Sequence, residues 1–125
     1  MTGDAFKRAC ELQAQAAACG FDWPSLDGVL DKIAEEIVEL RAALASDNMP
    51  AAREELGDLL FVLTNLARRI DVRPGATLDA ACDKFEFRFG FVKRQLQGAG
   101  RTTEEASLEE MEVLWQQAKR MERSR

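Results

Sequence analysis

Apolar residues recur every three or four positions along most of the chain, a spacing that places them on one face of an α-helix. Short segments rich in glycine, proline, serine and asparagine interrupt this pattern. The pattern therefore predicts about five helices and an all-α helical bundle. A chain of 125 residues with 46% hydrophobic content is long enough for one continuous core, so we expect residues 1–125 to form a single domain.

The first three helices have clear start and stop signals. Their predicted bounds are about 4–19, 26–45 and 50–70, with Gly20 ending the first and Ser25 as N-cap of the second. Pro50 stands near the first turn of the third. The short break between helices two and three makes them antiparallel neighbours. We expect their core-facing residues to be Ile33, Ile37, Leu40 and Leu44, and Leu56, Leu59, Leu60, Leu63, Leu66 and Ala67.

The fourth helix has a competing interpretation. Phenylalanine occupies every second position from 85 to 91, and a period of two is typical of a half-buried strand. The wider apolar set has helical spacing, with Thr77 as a possible N-cap, so we predict a helix. Its apolar positions are Ala81, Phe85, Phe89, Val92 and Leu96. The last helix begins with a capping-box pattern at Ser107 and Glu110.

Charge and cysteine content narrow the possible partners. The chain has 22 acidic and 17 basic residues, and this net charge of −5 disfavours a nonspecific nucleic-acid binder. Any phosphate is therefore expected to arrive with a metal ion. Cys10, Cys19 and Cys82 lack C-x-x-C spacing, so we predict reduced, buried thiols rather than disulfides or a zinc site.

The sequence shows no sign of a membrane segment or a signal peptide. Its first ten residues lack an apolar signal core, and no apolar run approaches the roughly 20 residues that span a bilayer. We therefore expect a cytoplasmic protein without a membrane partner.

Two acidic clusters carry the candidate chemistry. Glu36 and Glu39 share one face of helix two, and Glu55 and Asp58 are spaced in the same way on helix three. Because helices two and three are antiparallel neighbours, these two acidic faces can bind one ion together. The chain has no histidine, and ligands that are all carboxylate oxygens suit Mg²⁺ or Mn²⁺.

Solvated helix faces are the ordinary alternative, because glutamates three or four residues apart are common there. Two such clusters in adjoining helices are less ordinary. Gly57 within a helix costs about 1 kcal/mol relative to alanine, so Gly57 and Asp58 run against local preference. A close approach or a ligand would explain both.

Longer segments extend this picture. Residues 32–40, KIAEEIVEL, and residues 54–61, EELGDLLF, closely resemble the MazG nucleoside triphosphate pyrophosphohydrolases. Residues 20–24, 65–68, 84–89 and 113–120 are similar to the second, catalytically active half of the tandem-domain members of that family. The similarity covers nearly all of the chain.

The resemblance implies an all-α homodimer that hydrolyses NTPs or dNTPs to the monophosphate and pyrophosphate with Mg²⁺. It implies metal ligands at Glu36, Glu39, Glu55 and Asp58. Glu35 and Glu54 would complete the catalytic group by orienting water, contacting substrate or binding a further ion. Phosphates would be held by Lys32, Lys84 and Arg88, and the nucleoside end would be contacted by Trp115 and Lys119.

Each basic or aromatic residue in this set also has a structural explanation. Lys84 and Arg88 are one helical turn apart, and basic pairs of that kind are often only solvated. Trp115 equally fits a core or a dimer interface. Asn65 is polar within an apolar helix, where it fits a hydrogen bond to a neighbour or a contact with substrate.

Rival functions come from different classes of protein. The nearest are narrow-specificity relatives, a phosphoribosyl-ATP pyrophosphohydrolase or a dimeric dUTPase. A di-iron bundle needs Glu-x-x-His motifs, which a chain without histidine cannot supply. A helical dimerisation module without activity is the non-enzymatic alternative. The tandem members carry a second copy of the domain ahead of this one, so the sequence leaves open a natural single-domain form or a fragment.

Overall fold

The structure, a computed structural model, describes residues 5–123. The helices in that range are α1 (Ala5–Ala18), α2 (Leu26–Ala45), α3 (Met49–Arg69), α4 (Pro74–Gly98) and α5 (Leu108–Arg123), and a 3₁₀ turn spans Thr103–Glu105. No strand occurs among these residues, which confirms the all-α class. The predicted start of the first helix at Asp4 lies outside the described range.

The helix ends follow the signals in the sequence. The Ser25 hydroxyl accepts a hydrogen bond from the Gly28 amide at 3.3 Å and caps α2. Gly20 adopts φ +88°, and the Phe21 amide donates to the Ala16 carbonyl at 2.9 Å, as in a Schellman end to α1. These capping predictions are therefore confirmed.

The capping box predicted for α5 is also present. The Ser107 amide donates to Glu110 Oε1 at 3.0 Å, and the Glu110 amide donates to the Ser107 hydroxyl at 3.1 Å. Arg101 forms an ion pair with Glu110 and ties the preceding loop to the same helix end. This arrangement stabilises the ionised carboxylate, so the pKa of Glu110 falls to about 2.

The helical interpretation of the phenylalanine segment is confirmed. Residues 85–91 lie within α4, and the Phe85 and Phe89 rings stack with centroids 5.7 Å apart, one helical turn from each other. The prediction that Thr77 is the N-cap of this helix is wrong. The helix begins at Pro74, whose fixed φ suits a first helical position, and the Thr77 amide donates to the Arg73 carbonyl at 2.9 Å inside the first turn.

The chain forms two compact units, divided between Thr77 and Leu78. In the first unit, the three-residue break at 46–48 folds α2 and α3 into an antiparallel hairpin, and α1 packs against α3. The hairpin is packed through small and β-branched side chains. The buried apolar residues of this unit are Val29, Ala43, Ala52 and Val62.

Of the ten predicted core positions, five are half-buried and five are exposed in the single chain, so the prediction is wrong for half of them. Narrow residues fill the contact between α2 and α3, so larger side chains flank it and keep much of their surface exposed. Leu56, Leu60 and Leu63 are each more than 40% exposed on α3. Ile37 and Leu44 are similarly exposed on α2. The first unit therefore presents extensive apolar surface, which isolated monomers seldom do.

In the second unit, α4 and α5 contact each other through aromatic and ionic side chains. Val92, Leu96 and Ala118 are buried. Phe85 packs against Trp115 with ring centroids 5.3 Å apart. Phe85 nevertheless remains 55% exposed.

The cysteines differ from expectation in their burial. Cys10 is half-buried, whereas Cys19 and Cys82 are exposed, because Cys19 follows the end of α1 and Cys82 lies on an open face of α4. All three are free thiols. Across residues 5–123, the helices are too short or too polar to cross a bilayer.

Candidate functional site

Three carboxylates meet across the α2–α3 hairpin. Glu36 and Glu39 lie one turn apart on α2, and Glu55 faces them from α3. One oxygen from each lies within 4.8 Å of the others. The Glu36 side chain is 3% exposed, Glu55 is half-buried and Glu39 is exposed. The fold thus concentrates negative charge at one partly buried point.

Repulsion within this cluster shifts the ionisation of its members. The facing carboxylate of Glu36 and then that of Glu39, followed by burial, raise the pKa of Glu55 to about 7. The same contact with Glu55, followed by the ammonium of Lys32, lowers the pKa of Glu36. Below about pH 7, Glu36 therefore keeps its charge while Glu55 holds a proton.

Two oxygens of the cluster are unsatisfied. Glu36 Oε2 and Glu55 Oε2 are buried and have no hydrogen-bond partner within the described chain. Buried acceptors without a partner are uncommon and costly in native proteins. A hard divalent cation would satisfy both oxygens at once, because Mg²⁺ and Mn²⁺ prefer carboxylate ligands. The donor set of the cluster therefore fits such an ion.

Lys32 neutralises part of this charge. Its ammonium lies 3.3 Å from Glu35 Oε1 and 3.0 Å from Glu36 Oε1, and both contacts raise the pKa of the lysine. Glu35 itself is 56% exposed. The lysine thus joins the buried cluster to an exposed carboxylate on the same helix.

The other acidic residues predicted for the site are more exposed. Asp58 is exposed, stands outside the three-carboxylate cluster and lines the neighbouring cavity together with Glu36. Glu54 is also exposed. A methyl group added to Gly57 would meet nothing within 4 Å, so a close approach by another described residue does not explain this glycine.

A cavity of about 580 Å³ opens beside the carboxylates in the first unit. This volume falls in the range of small-molecule sites. Aromatic and aliphatic side chains form most of the wall, and charged groups stand both beside the carboxylate cluster and at the loop between α1 and α2. The lining residues are Leu12, Gln13, Ala16, Phe21, Asp22, Trp23, Lys32, Glu36, Asp58, Phe61, Val62, Asn65 and Arg68.

Two buried amides contribute polar groups to this wall. Gln13 Nε2 donates to the Phe61 carbonyl at 2.8 Å, which orients the amide and leaves Oε1 buried without a partner in the described chain. The Asn65 side-chain oxygen accepts hydrogen bonds from Arg68 Nε at 3.2 Å and Nη2 at 2.7 Å. Gln13 therefore keeps a buried acceptor without a partner in the cavity wall.

The loop between α1 and α2 closes the side of the cavity. Arg68 Nη2 lies 2.8 Å from Asp22 Oδ1, and Arg69 Nη1 donates to the Trp23 carbonyl at 2.7 Å. The Arg68 hydrogen bond is the main reason that the pKa of Asp22 falls below its ordinary value. Phe21, at the cavity rim, is 83% exposed.

The remaining predicted site residues lie in the second unit. The Arg88 side chain pairs with Glu122 and lies over the Trp115 ring, 5.6 Å from its centroid. Lys84 is exposed and Lys119 is half-buried. Arg88 and Trp115 are thus already engaged with each other and with neighbouring side chains.

Sequence reasoning missed most of the cavity. Gln13 carried a usable signal, because it is a polar residue that becomes buried on an alanine-rich helix. Asp22 and Arg68 were part of the segments with family resemblance but had no role assigned. Their contact joins positions 46 residues apart, which helical periodicity cannot reveal.

Comparison with known proteins identifies the family of the chain. A profile of the MazG nucleotide pyrophosphohydrolase domain family matches residues 25–90. A nucleoside triphosphate pyrophosphohydrolase of Escherichia coli K12 is 42% identical over 120 residues, which are 94% of this chain and 46% of that protein. A nucleoside triphosphate pyrophosphohydrolase/pyrophosphatase MazG of Thermotoga maritima is 36% identical over 115 residues, 92% of this chain and 44% of that protein. The chain spans about half the length of these relatives.

Proposed function

Because the chain belongs to the MazG nucleotide pyrophosphohydrolase domain family, we propose that it hydrolyses nucleoside triphosphates to monophosphate and pyrophosphate with Mg²⁺. The role would be house-cleaning of the nucleotide pool, with broad use of NTPs and dNTPs. The observation that carries the proposal is the pair of unsatisfied carboxylate oxygens on Glu36 and Glu55 beside a cavity of about 580 Å³.

We propose that Mg²⁺, or Mn²⁺ in its place, is held by Glu36, Glu39, Glu55 and Asp58. The first three already place oxygens within 4.8 Å of one another, and Asp58 lines the cavity next to them. A bound cation of this type neutralises phosphate charge and lowers the pKa of water. Glu35 and Glu54 are proposed to orient water or contact substrate from the exposed rim.

The basic residues are proposed to bind the phosphates. Lys32 lines the cavity and is held by two carboxylates, so it contacts phosphate once Glu36 is engaged by other ligands. Lys84 and Arg88 are proposed as further phosphate contacts. For Arg88 this requires release from Glu122, with which it pairs in the structure.

The cavity is proposed to receive the nucleoside. Its apolar and aromatic wall suits a planar ring, and the buried Gln13 oxygen supplies an acceptor for an N–H group on a base. Every natural base carries such a donor, so this contact is compatible with broad base use. Trp115 and Lys119 also remain proposed contacts of the nucleoside. Variants of Trp115 and of Gln13 would show which of the two positions the nucleoside occupies.

A homodimer is proposed as the working form. The α2–α3 hairpin exposes large apolar side chains that a second copy of the chain would cover. We further propose one domain over residues 1–125 in the cytoplasm, where nucleoside triphosphates are abundant. With a net charge of −5, neither nucleic acid nor an anionic membrane is a proposed partner.

A substrate panel tests this function. Purified protein would be incubated with ATP, dATP, dCTP, dUTP, dTTP and phosphoribosyl-ATP in Mg²⁺, with EDTA and the Glu39→Gln variant as controls. Turnover of several triphosphates that both controls abolish supports the proposal. Exclusive use of dUTP or phosphoribosyl-ATP would identify a narrow-specificity relative, and metal binding without turnover would identify a non-enzymatic module.

A further inference from the structure

The segment 20–24 between α1 and α2 has little hydrogen bonding of its own. Its contacts with α1 are the hydrogen bonds of Gly20 and Phe21 to carbonyls in the last turn of that helix. Beyond them, the Trp23 amide donates to Asp22 Oδ1 at 2.8 Å within the loop itself. Nevertheless Phe21, Asp22 and Trp23 all line the cavity. Something outside the loop must fix this wall.

Two arginines in the last turn of α3 supply that contact. Arg68 Nη2 lies 2.8 Å from Asp22 Oδ1, and Arg69 Nη1 lies 3.6 Å from the same oxygen while donating to the Trp23 carbonyl. Favourable interaction with the helix C-terminus would place arginine there in any case. It would not explain why both side chains converge on one loop 46 residues away.

The Arg68 side chain is held from both sides. Its Nε and Nη2 donate to the Asn65 oxygen on the preceding turn of α3, while Nη2 also reaches Asp22. Asn65 is 7% exposed, and the Arg68 and Asp22 side chains are 22% and 25% exposed. A pair that is mostly shielded and braced by a buried amide has less rotameric freedom than a surface ion pair.

The same helix carries metal-site candidates. Asp58 and Arg68 are ten residues apart on α3, which corresponds to a rise of about 15 Å. Because an α-helix is stiff over that distance, α3 fixes the spacing between its carboxylates and the loop wall. The arginines connect the loop wall to this helix.

We propose that Asp22 and Arg68 are positioning residues that hold the Phe21–Trp23 segment as the wall of the substrate cavity, and that they act through this loop without contacting the reacting atoms. This inference rests on the proposed triphosphate hydrolysis. Its consequence is that the pair sets the apparent affinity for the nucleotide, while the chemical step at the carboxylates is unaffected.

The kinetic test compares Asp22→Ala and Arg68→Ala with the charge-exchanged double variant Asp22→Arg/Arg68→Asp. Each single variant is expected to raise KM about tenfold and to change kcat less than about twofold, as for loss of a charged hydrogen bond that acts in binding. Arg101→Ala is the matched control, since it breaks another arginine–carboxylate pair, and its KM should stay at the wild-type value.

The double variant separates positioning from direct contact. Recovery of KM to within about threefold of wild type supports positioning, because only the pairing has been restored. If the double variant restores wild-type hydrogen exchange in the loop but its KM stays as high as that of Arg68→Ala, Arg68 contacts the substrate itself and the inference is wrong. An unchanged KM in Asp22→Ala also overturns it.

Hydrogen exchange gives a readout that does not depend on activity. In the 125-residue protein without nucleotide, Arg68→Ala is expected to speed exchange of the amides of residues 20–23 about tenfold while α2 and α3 keep their protection. Unchanged exchange in this loop contradicts the inference even if the enzyme is active. Failure of the proposed function would be recognised separately, because the wild-type protein itself would then hydrolyse no triphosphate.

Discussion

Glu36 on α2 and Glu55 on α3 each keep one buried carboxylate oxygen that no donor within the described residues reaches. Two acceptors can satisfy each other only through a shared proton or a cation. The pKa of Glu55 is raised to about 7, so the metal-free protein uses a proton near neutral pH. A cation and this proton therefore compete for the same site.

This competition predicts a pH dependence of metal affinity. Mg²⁺ affinity should rise as pH increases from 6 to 8, because Glu55 must lose its proton, and binding at pH 6.5 should release about three-quarters of a proton. Calorimetric titration in buffers of different ionisation enthalpy measures the released proton. Binding that releases no proton at this pH would contradict the account of the cluster.

The stability of the metal-free protein should change in the opposite direction. The folded pKa of Glu55 lies above its unfolded value of 4.5, so its contribution is complete below pH 4.5 and is lost as pH rises through about 7. In EDTA, the free energy of unfolding should fall between pH 5 and pH 8. Urea denaturation should show a smaller fall in Glu55→Gln, whereas Glu54→Gln, the exposed neighbour, should behave as wild type.

Each candidate metal ligand can be tested by an isosteric change. Glu36→Gln, Glu39→Gln, Glu55→Gln and Asp58→Asn should each lower kcat/KM roughly 100-fold or more while the helical circular dichroism signal is retained. Glu112→Gln, an exposed change on α5, is the matched control. Wild-type activity in any two of the four variants would remove the metal-site assignment.

The nucleoside position is tested with a substrate analogue. Purine riboside triphosphate lacks the amino group of ATP, so its KM should be about tenfold higher if Gln13 Oε1 accepts from that group. In Gln13→Leu the two substrates should have equal KM. Trp115→Ala is the counterpart, and a KM effect there without any at Gln13 would place the nucleoside in contact with the second unit.

The assembly is tested by molecular mass. Light scattering of the wild-type protein at micromolar concentration should give twice the chain mass of 14.0 kDa. Leu60→Glu introduces a charge into the exposed apolar face of α3 and should yield monomers. Leu108→Glu, at an exposed position in α5, should leave the mass unchanged. A monomeric wild type would show that the apolar face has another use.

Local signals predicted the helices well because caps and periodicity act over a few residues. Ser25, Gly20 and the Ser107 box were identified from the sequence, and the hairpin that brings Glu36 to Glu55 followed from a short loop. The burial of the apolar side chains was predicted poorly. A leucine on a helix face packs either against the same chain or against another chain, and the sequence does not distinguish these cases. Leu60, for example, was predicted to face the core but is 49% exposed in the single chain.

The cavity could not be predicted from the sequence either. Its wall depends on side-chain contacts between distant segments, such as Asp22 with Arg68 and Gln13 with the Phe61 carbonyl. Periodicity assigns these residues to a loop or a helix face but gives no pairing. The Trp115 ring packs against Phe85 and lies beneath Arg88, and its contact with the nucleoside stays a prediction.

The most direct test of the central claim is the identity of the products formed from ATP and Mg²⁺, separated by ion-exchange chromatography with an EDTA control. The account predicts AMP and pyrophosphate in equal amounts and no products after chelation. ADP and phosphate would mean that a different bond is cleaved, and AMP formation that persists in EDTA would contradict the role given to the carboxylate cluster.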